Sequence, residues 1–194
     1  MWLHRSKIQA TGGFWLVLLW FWYANGLPLL ISVLSAAAAH EAGHLLALYL
    51  LGVPVTALRL SVFGAELYAP RGRLSYGGEL AAVLSGPAVN LVCGLVLAQL
   101  GPPFWSAAGA HLILGVFNLL PLRPLDGGRA AEALLYWMSG LAAGERMTRL
   151  LGTLTATGVS LVLAGLMWYS GGSLWLLPPL AGALLAGGKE LFGK

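Results

Sequence analysis

Charged residues are scarce in this sequence, and their scarcity excludes a water-soluble protein. The chain has 11 Lys and Arg and 7 Asp and Glu, so 9% of its 194 residues are charged. A typical globular domain has about 25%. Hydrophobic residues make up 58% of the chain. So few charges cannot cover a folded domain with a polar surface, and the composition therefore predicts a membrane protein.

Two further absences narrow the class of protein. Cys93 is the one cysteine, which excludes a disulfide framework within the chain. The sequence has no dense run of Lys and Arg and no basic helix, so its net charge of +4 does not indicate binding to nucleic acid. We interpret the positive charge as the topological signal of a membrane protein, in which Lys and Arg gather in cytoplasmic segments.

Six apolar segments are long enough, or nearly so, to cross a bilayer, which takes about 20 residues. They are predicted at residues 8–24, 27–51, 79–100, 103–120, 150–169 and 173–187. All 11 Lys and Arg fall at the termini or in the two long connections, 52–78 and 121–149. Six crossings put these regions on one side of the membrane, which the cations make cytoplasmic. We expect a multi-pass plasma-membrane protein with both termini in the cytoplasm.

The second segment contains the motif His-Glu-x-x-His, from His40 to His44. Positions i and i+4 of a helix lie on one face, so both imidazoles can reach one metal ion. Glu41 is rotated from His40 by about 100° and flanks such an ion, where a general base belongs. Zinc suits these residues because it accepts His nitrogen and carboxylate oxygen. Simple packing between helices is the alternative, but it leaves the cost of three polar side chains in hydrocarbon unexplained.

A third metal ligand is expected, because catalytic zinc sites commonly use three protein ligands. Asp126 is the only aspartate in the chain, and it follows a segment that Pro121 and Pro124 break. Broken backbone at membrane depth is tolerated where it is buried in protein or lines a cavity, so a carboxylate there is a natural ligand. Alternatively, Asp126 caps the N-terminus of the helix that follows. With Asp126 as ligand, we expect one Zn²⁺ per chain.

Three short motifs follow one another along the chain: His40-Glu41-x-x-His44, Gly86-Pro87-x-x-Asn90, and Asn118-x-x-Pro121 with Asp126-Gly127. Each is similar to a motif of the site-2 protease family of intramembrane zinc metalloproteases, peptidase family M50. Together they resemble that family over about residues 8–140. Within the family, the branch typified by the bacterial sporulation factor protease is the most similar.

This resemblance implies an intramembrane zinc endopeptidase that hydrolyses transmembrane protein substrates within or near the bilayer. It implies His40, His44 and Asp126 as zinc ligands and Glu41 as the catalytic acid and base. Asn118 and Asn90 would position the substrate or the transition state, although a buried Asn90 that only bonds a neighbouring helix is an alternative. A metal-binding membrane transporter or an inactive protease-like scaffold is the rival interpretation.

The expected fold is a single all-α intramembrane domain over residues 1–194, with its fourth helix broken at Pro121 and Pro124 and without a PDZ or nucleotide-sensing domain. Leu58, Leu60 and Val62 alternate with Arg59, Ser61 and Phe63. This pattern predicts a small membrane-associated β-hairpin near residues 55–70 with its turn at Gly64-Ala65. An amphipathic loop is the alternative. The hairpin edge could bind an extended substrate as an added strand. The substrate's identity and the oligomeric state stay open.

Overall fold

The computed structural model describes residues 7–61, 64–70, 74–123, 125–172 and 177–192, and most of them are helical. The chain divides into two compact units, one within Met1–Phe117 and the other within Asn118–Lys194. Three helices among the described residues are long and apolar enough to cross a membrane: Leu27–Leu50, Tyr76–Gln99 and Asp126–Tyr169. The composition therefore correctly predicted a mostly helical membrane protein.

The first unit combines helices with a small sheet. In chain order its elements are β1 (Lys7–Ala10), α1 (Gly12–Asn25), α2 (Leu27–Leu50), β2 (Ala57–Ser61), β3 (Gly64–Tyr68), α3 (Tyr76–Gln99), a 3₁₀ turn (Pro102–Phe104) and α4 (Trp105–Asn118). Gly26, with a φ of 81°, separates α1 from α2. At the other end of α2, Gly52 has a φ of 74°, the left-handed conformation in which helices commonly end.

Helices α2 and α3 pack closely where both carry glycine. A Cβ on Gly43 of α2 would lie 3.1 Å from the Cα of Gly86 on α3 and 2.8 Å from the carbonyl oxygen of Ser85. Small residues at a helix interface allow such an approach of the two backbones. The close contact brings the histidines of α2 against the backbone of α3.

The predicted hairpin is confirmed as β2 and β3, which pair antiparallel with Ser61 opposite Gly64. The expected turn at Gly64-Ala65 is wrong, because both residues already belong to β3 and pair with β2. Residues 62 and 63 lie outside the described residues. Strand β2 occupies the centre of the sheet, with β1 on one side and β3 on the other. An added substrate strand would therefore have to pair with β1 or β3.

Strand β1 replaces the expected start of the first helix. Residues 8–10 were expected to be helical, but Lys7–Ala10 pair parallel to β2. Helix α1 begins only at Gly12, because the Thr11 side chain caps it by accepting a hydrogen bond from the Phe14 amide, 3.4 Å away. The Thr11 amide itself donates to the Leu60 carbonyl at 2.9 Å.

The second unit contains α5 (Asp126–Tyr169) and α6 (Leu177–Phe192). Gly140, with φ 78° and ψ 171°, interrupts α5, so residues 126–139 and 141–169 form two helices. The expectation that residues 121–149 form a connection is therefore wrong for most of them. Their charges suggested a loop, but alanine, leucine and glutamate are strong helix formers. Helix α6 also extends five residues past the predicted end at 187.

The predicted break after the fourth helix is confirmed at Pro121. Helix α4 ends at Asn118, and the chain then turns sharply, with the Leu122 amide donating to the Leu120 carbonyl at 2.8 Å. Proline has no amide hydrogen and cannot continue the helical hydrogen bonds. Pro124 lies outside the described residues.

Candidate metal centre

His40 and His44 converge on one face of α2, as their spacing predicts. Their Nε2 atoms lie 3.1 Å apart, and the ring planes cross at 82°. The two residues are only 6% and 8% exposed. Two buried imidazoles that bring the same nitrogen to one point form half of a tetrahedral metal site.

The protonation of His44 is fixed by the backbone of α3. Its Nδ1 lies 2.8 Å from the carbonyl oxygen of Ala82. A carbonyl only accepts hydrogen bonds, so Nδ1 carries the hydrogen and Nε2 presents a lone pair. The Ser85 hydroxyl donates to the same carbonyl at 2.7 Å and lies 3.4 Å from His44 Nδ1. His44 is therefore held in the tautomer that a metal ligand needs.

Gly86 allows the two imidazoles to lie directly against α3. A Cβ at this position would lie 2.9 Å from Nε2 of His40 and 2.7 Å from Cε1 of His44. Any side chain would therefore intrude between α3 and the ligating nitrogens. The convergent nitrogens and the fixed His44 tautomer fit a divalent metal ion.

Asn90 contacts the opposite side of the His40 ring. It is fully buried, and its Nδ2 lies 3.2 Å from His40 Nδ1, the ring nitrogen remote from His44. Its Oδ1 has no hydrogen-bond partner within the described parts of the chain. The structure thus places Asn90 against a predicted ligand, and this contact does not involve the side of the ring that faces His44.

Glu41 and Asn118, the two other predicted site residues, both lie in helices. Glu41 is half-buried on α2, next in sequence to His40, and helical geometry rotates it by about 100° from that residue. Asn118 is half-buried and is the last residue of α4. Their expected roles as general base and substrate-positioning residue stay predictions.

Asp126 is a buried residue, 9% exposed, at the start of α5. The alternative in which it caps this helix is wrong, because Leu125 occupies the cap position and Asp126 is the first helical residue. A Cβ on Gly127 or Gly128 would overlap backbone atoms of Leu119 or Leu122. The glycine pair therefore lets residues 119–122 fold tightly against the start of α5.

An ionic cluster around Arg123 was not predicted. From the segment before α5, Arg123 Nη2 donates to Glu145 at 2.6 Å, and its Nε lies 3.7 Å from the buried Glu190 of α6. Arg149 also donates to Glu145, at 2.7 Å. In the sequence these charges indicate only membrane topology. The short distance in sequence between Arg123 and Asp126 is the one feature that could have pointed to the cluster.

Comparisons with known proteins assign this fold and site to a family. The sequence model of Peptidase family M50 matches residues 98–164 of this chain. Rip3 of Mycobacterium tuberculosis, named as a zinc metalloprotease, is 32% identical over 153 residues, which are 72% of this chain and 38% of Rip3. MJ0392 of Methanocaldococcus jannaschii, also named a zinc metalloprotease, is 30% identical over 59% of this chain and 35% of its own length.

A solved structure shares the fold. The site-2 protease from Methanocaldococcus jannaschii superposes with a TM-score of 0.64 at 22% identity, covering 91% of this chain and 84% of that one. The chain spans well under half the length of the curated relatives it matches.

This chain combines apolar helices with a buried pair of histidines that can bind a metal. These features are typical of membrane proteins that bind a metal ion. Within that class, the chain belongs to peptidase family M50, the site-2 protease family. The predicted family is confirmed, whereas the sporulation-type branch stays a prediction.

Proposed function

We propose that this protein is an intramembrane zinc endopeptidase that cleaves transmembrane protein substrates within or near the bilayer. The observation that carries the proposal is the convergence of His40 and His44 beside Gly86, with their Nε2 atoms 3.1 Å apart. Membership of peptidase family M50 supports it, as do two relatives named zinc metalloproteases. The proposed functional unit is a single protease domain over residues 1–194.

His40, His44 and Asp126 are the proposed zinc ligands. Two imidazoles and one carboxylate form a common ligand set of catalytic zinc, and a single coordination position stays open. The burial of all three residues supports the assignment, because a polar side chain buried in a membrane protein requires a partner. Bound there, zinc would act as a Lewis acid that polarises the scissile carbonyl.

Glu41 is the proposed general base and then general acid. Its carboxylate takes a proton from the attacking water as the water oxygen bonds to the carbonyl carbon. When the carbon–nitrogen bond breaks, Glu41 returns the proton to the leaving amine. The Asn118 side-chain amide, at the end of α4, is proposed to hold the substrate backbone by a hydrogen bond.

We propose six crossings with both termini in the cytoplasm, adding α1, α4 and α6 to the three long helices. All 11 Lys and Arg lie near the termini, within residues 52–78 or within residues 121–149, which supports this topology. Helices α1 and α4 have 14 residues each, so they span about 21 Å, and the bilayer would have to thin around them. A reporter active only in the cytoplasm, fused to either terminus, should be active.

The test of the proposed mechanism is Glu41→Gln, which keeps the shape of the side chain and removes the base. The protein is reconstituted in liposomes with tagged single-span membrane proteins, and both cleavage and zinc content are measured. We expect cleavage to fall by about 10²–10⁴-fold while zinc content stays unchanged. Glu79→Gln, in the first turn of α3, is the matched control and should cleave normally.

Two outcomes would contradict the mechanism. Cleavage by Glu41→Gln at the wild-type rate would exclude Glu41 as the base. A wild-type protein that binds zinc but cleaves none of these substrates would favour the transporter or the inactive scaffold.

A further inference from the structure

The segment before α5, which leads into Asp126, is tied to the start of that helix by backbone hydrogen bonds. The Leu125 amide donates to the Leu122 carbonyl at 2.8 Å. The Leu125 carbonyl accepts from the amides of Gly128 and Arg129 at 3.1 and 3.2 Å. These bonds make the segment and the first turn of α5 one local unit, so whatever fixes the segment also fixes the position of Asp126.

The side chain of Arg123 joins this segment to two other parts of the second unit. Its Nη2 donates to Glu145 at 2.6 Å, across the interruption of α5 at Gly140. Its Nε lies 3.7 Å from Oε1 of Glu190 on α6. One guanidinium can reach both carboxylates because its donors point in different directions from a rigid plane.

Both acidic partners are held in place by close packing. A Cβ on Gly152 would lie 3.0 Å from Cδ of Glu190, so glycine there leaves room for the carboxylate against α5. A Cβ on Gly144 would lie 2.5 Å from Cδ1 of Tyr136, so the two helices of α5 pack tightly next to their junction. This packing lets the Tyr136 hydroxyl donate to Glu145. The two carboxylates are therefore fixed points to which Arg123 attaches its segment.

The buried position of Glu190 gives α6 a part in this arrangement. Glu190 is only 5% exposed, and its Oε2 has no hydrogen-bond partner within the described parts of the chain. A buried carboxylate is costly unless a cation accompanies it, and Arg123 lies within ion-pair distance. Helix α6 thus favours an Arg123 side chain that stays in its present position.

We propose that Arg123 is a positioning residue for the third zinc ligand. It fixes the segment before α5 through Glu145 and Glu190, and the fixed segment sets the direction in which the Asp126 carboxylate offers its lone pairs. The inference rests on the proposed function, in which Asp126 binds zinc. It gives α6 a part in zinc binding, because Glu190 supports a ligand on α5.

The test measures zinc affinity by chelator competition in the detergent-purified protein. Arg123→Gln removes the charge and the fork of donors, and we expect zinc to bind about 10–100-fold more weakly, as after loss of a group that orients a metal ligand. Arg149→Gln is the matched control, because Arg149 bonds the same Glu145 from four residues away in one helix. Its zinc affinity should stay within about threefold of wild type, since such a pair contributes little.

The absorption spectrum of bound Co²⁺ separates positioning from stability. Cobalt can replace zinc at nitrogen and oxygen ligands, and its spectrum depends on the ligands and their geometry. Co²⁺ bound to Arg123→Gln should absorb differently from Co²⁺ bound to the wild type, with a shift toward the spectrum of Asp126→Ala. A purely structural role would lower the amount of folded protein and leave the spectrum per bound ion unchanged.

Wild-type zinc affinity in Arg123→Gln, or a wild-type cobalt spectrum in this variant, would overturn the inference. So would an equal loss of affinity in Arg149→Gln. Undiminished zinc affinity in Asp126→Ala would instead overturn the ligand set of the proposed function, so the two failures can be told apart.

A second variant keeps the inference testable if Arg123→Gln does not fold. Arg123→Lys keeps the charge but lacks the planar fork that reaches both carboxylates. We expect weaker zinc binding than in the wild type and a changed cobalt spectrum. A wild-type result in either measurement would contradict the inference.

Discussion

At the scale of single residues, the metal centre depends as much on what lies around the histidines as on the histidines themselves. The i, i+4 spacing predicted that His40 and His44 converge, because this spacing is a local property of a helix. The Ala82 carbonyl and the Asn90 amide were not predictable in these roles, since their contacts depend on how α3 packs against α2. The sequence motif drew attention to Asn90 but did not indicate its neighbour.

The close contact of Gly86 with the two imidazoles provides the prediction at this scale. In Gly86→Ala the new Cβ would lie 2.9 Å from His40 Nε2, so the imidazoles must move from their convergent positions. We expect zinc content to fall to below about one tenth of wild type, because metal ligation requires both nitrogens at bonding distance. Elemental analysis of the purified protein measures it.

Gly158→Ala is the matched control, because a Cβ there meets no atom within 4 Å. It should retain zinc and gain some stability, since alanine favours a helix over glycine. Full zinc occupancy in Gly86→Ala would show that the metal does not bind beside α3.

At the scale of elements, features that depend on a few neighbouring residues could be predicted from the sequence. The pairing of strands far apart in the chain could not. Alternation predicted β2 and β3, and Pro121 predicted the end of α4. Strand β1 pairs with β2 about fifty residues away, and nothing in its four residues distinguishes it from a helix start. The charges of residues 121–149 suggested a loop, whereas Arg123 and Arg149 both pair with Glu145 of α5.

Arg123 provides the prediction at this scale, because it joins the segment before α5 to α5 itself. Arg123→Gln removes the 2.6 Å bond to Glu145 and leaves the buried Glu190 without its cation. We expect a loss of about 1.5–3 kcal/mol in the free energy of unfolding, the usual range for hydrogen bonds to charged groups. Thermal unfolding in detergent measures it.

Arg149→Gln is a matched control, because Arg149 bonds the same Glu145 but only within one helix and with a 45% exposed side chain. Such a pair contributes about 0.3–0.5 kcal/mol. Equal destabilisation by the two substitutions would show that Arg123 has no special part in holding its segment.

At the scale of the whole molecule, composition predicted the membrane class because the scarcity of charge is a sum over the chain and requires no placement of residues. The number of crossings is harder to predict from composition. Helices α1, α4 and α6 have only 14 to 16 residues, fewer than the roughly 20 that usually cross a bilayer. Three motifs in order identified the family, and the comparisons confirm it.

The central claim for the whole molecule is a single zinc ion bound by His40, His44 and Asp126. The most direct measurement is zinc per chain, by elemental analysis of the detergent-purified protein, which requires no knowledge of the substrate. We expect about one zinc in the wild type, since three ligands suffice for a catalytic site. The double variant His40→Ala/His44→Ala should hold almost none, and Asp126→Ala clearly less than the wild type. A folded, zinc-supplemented wild type without zinc, or undiminished zinc in the histidine variant, would contradict the account.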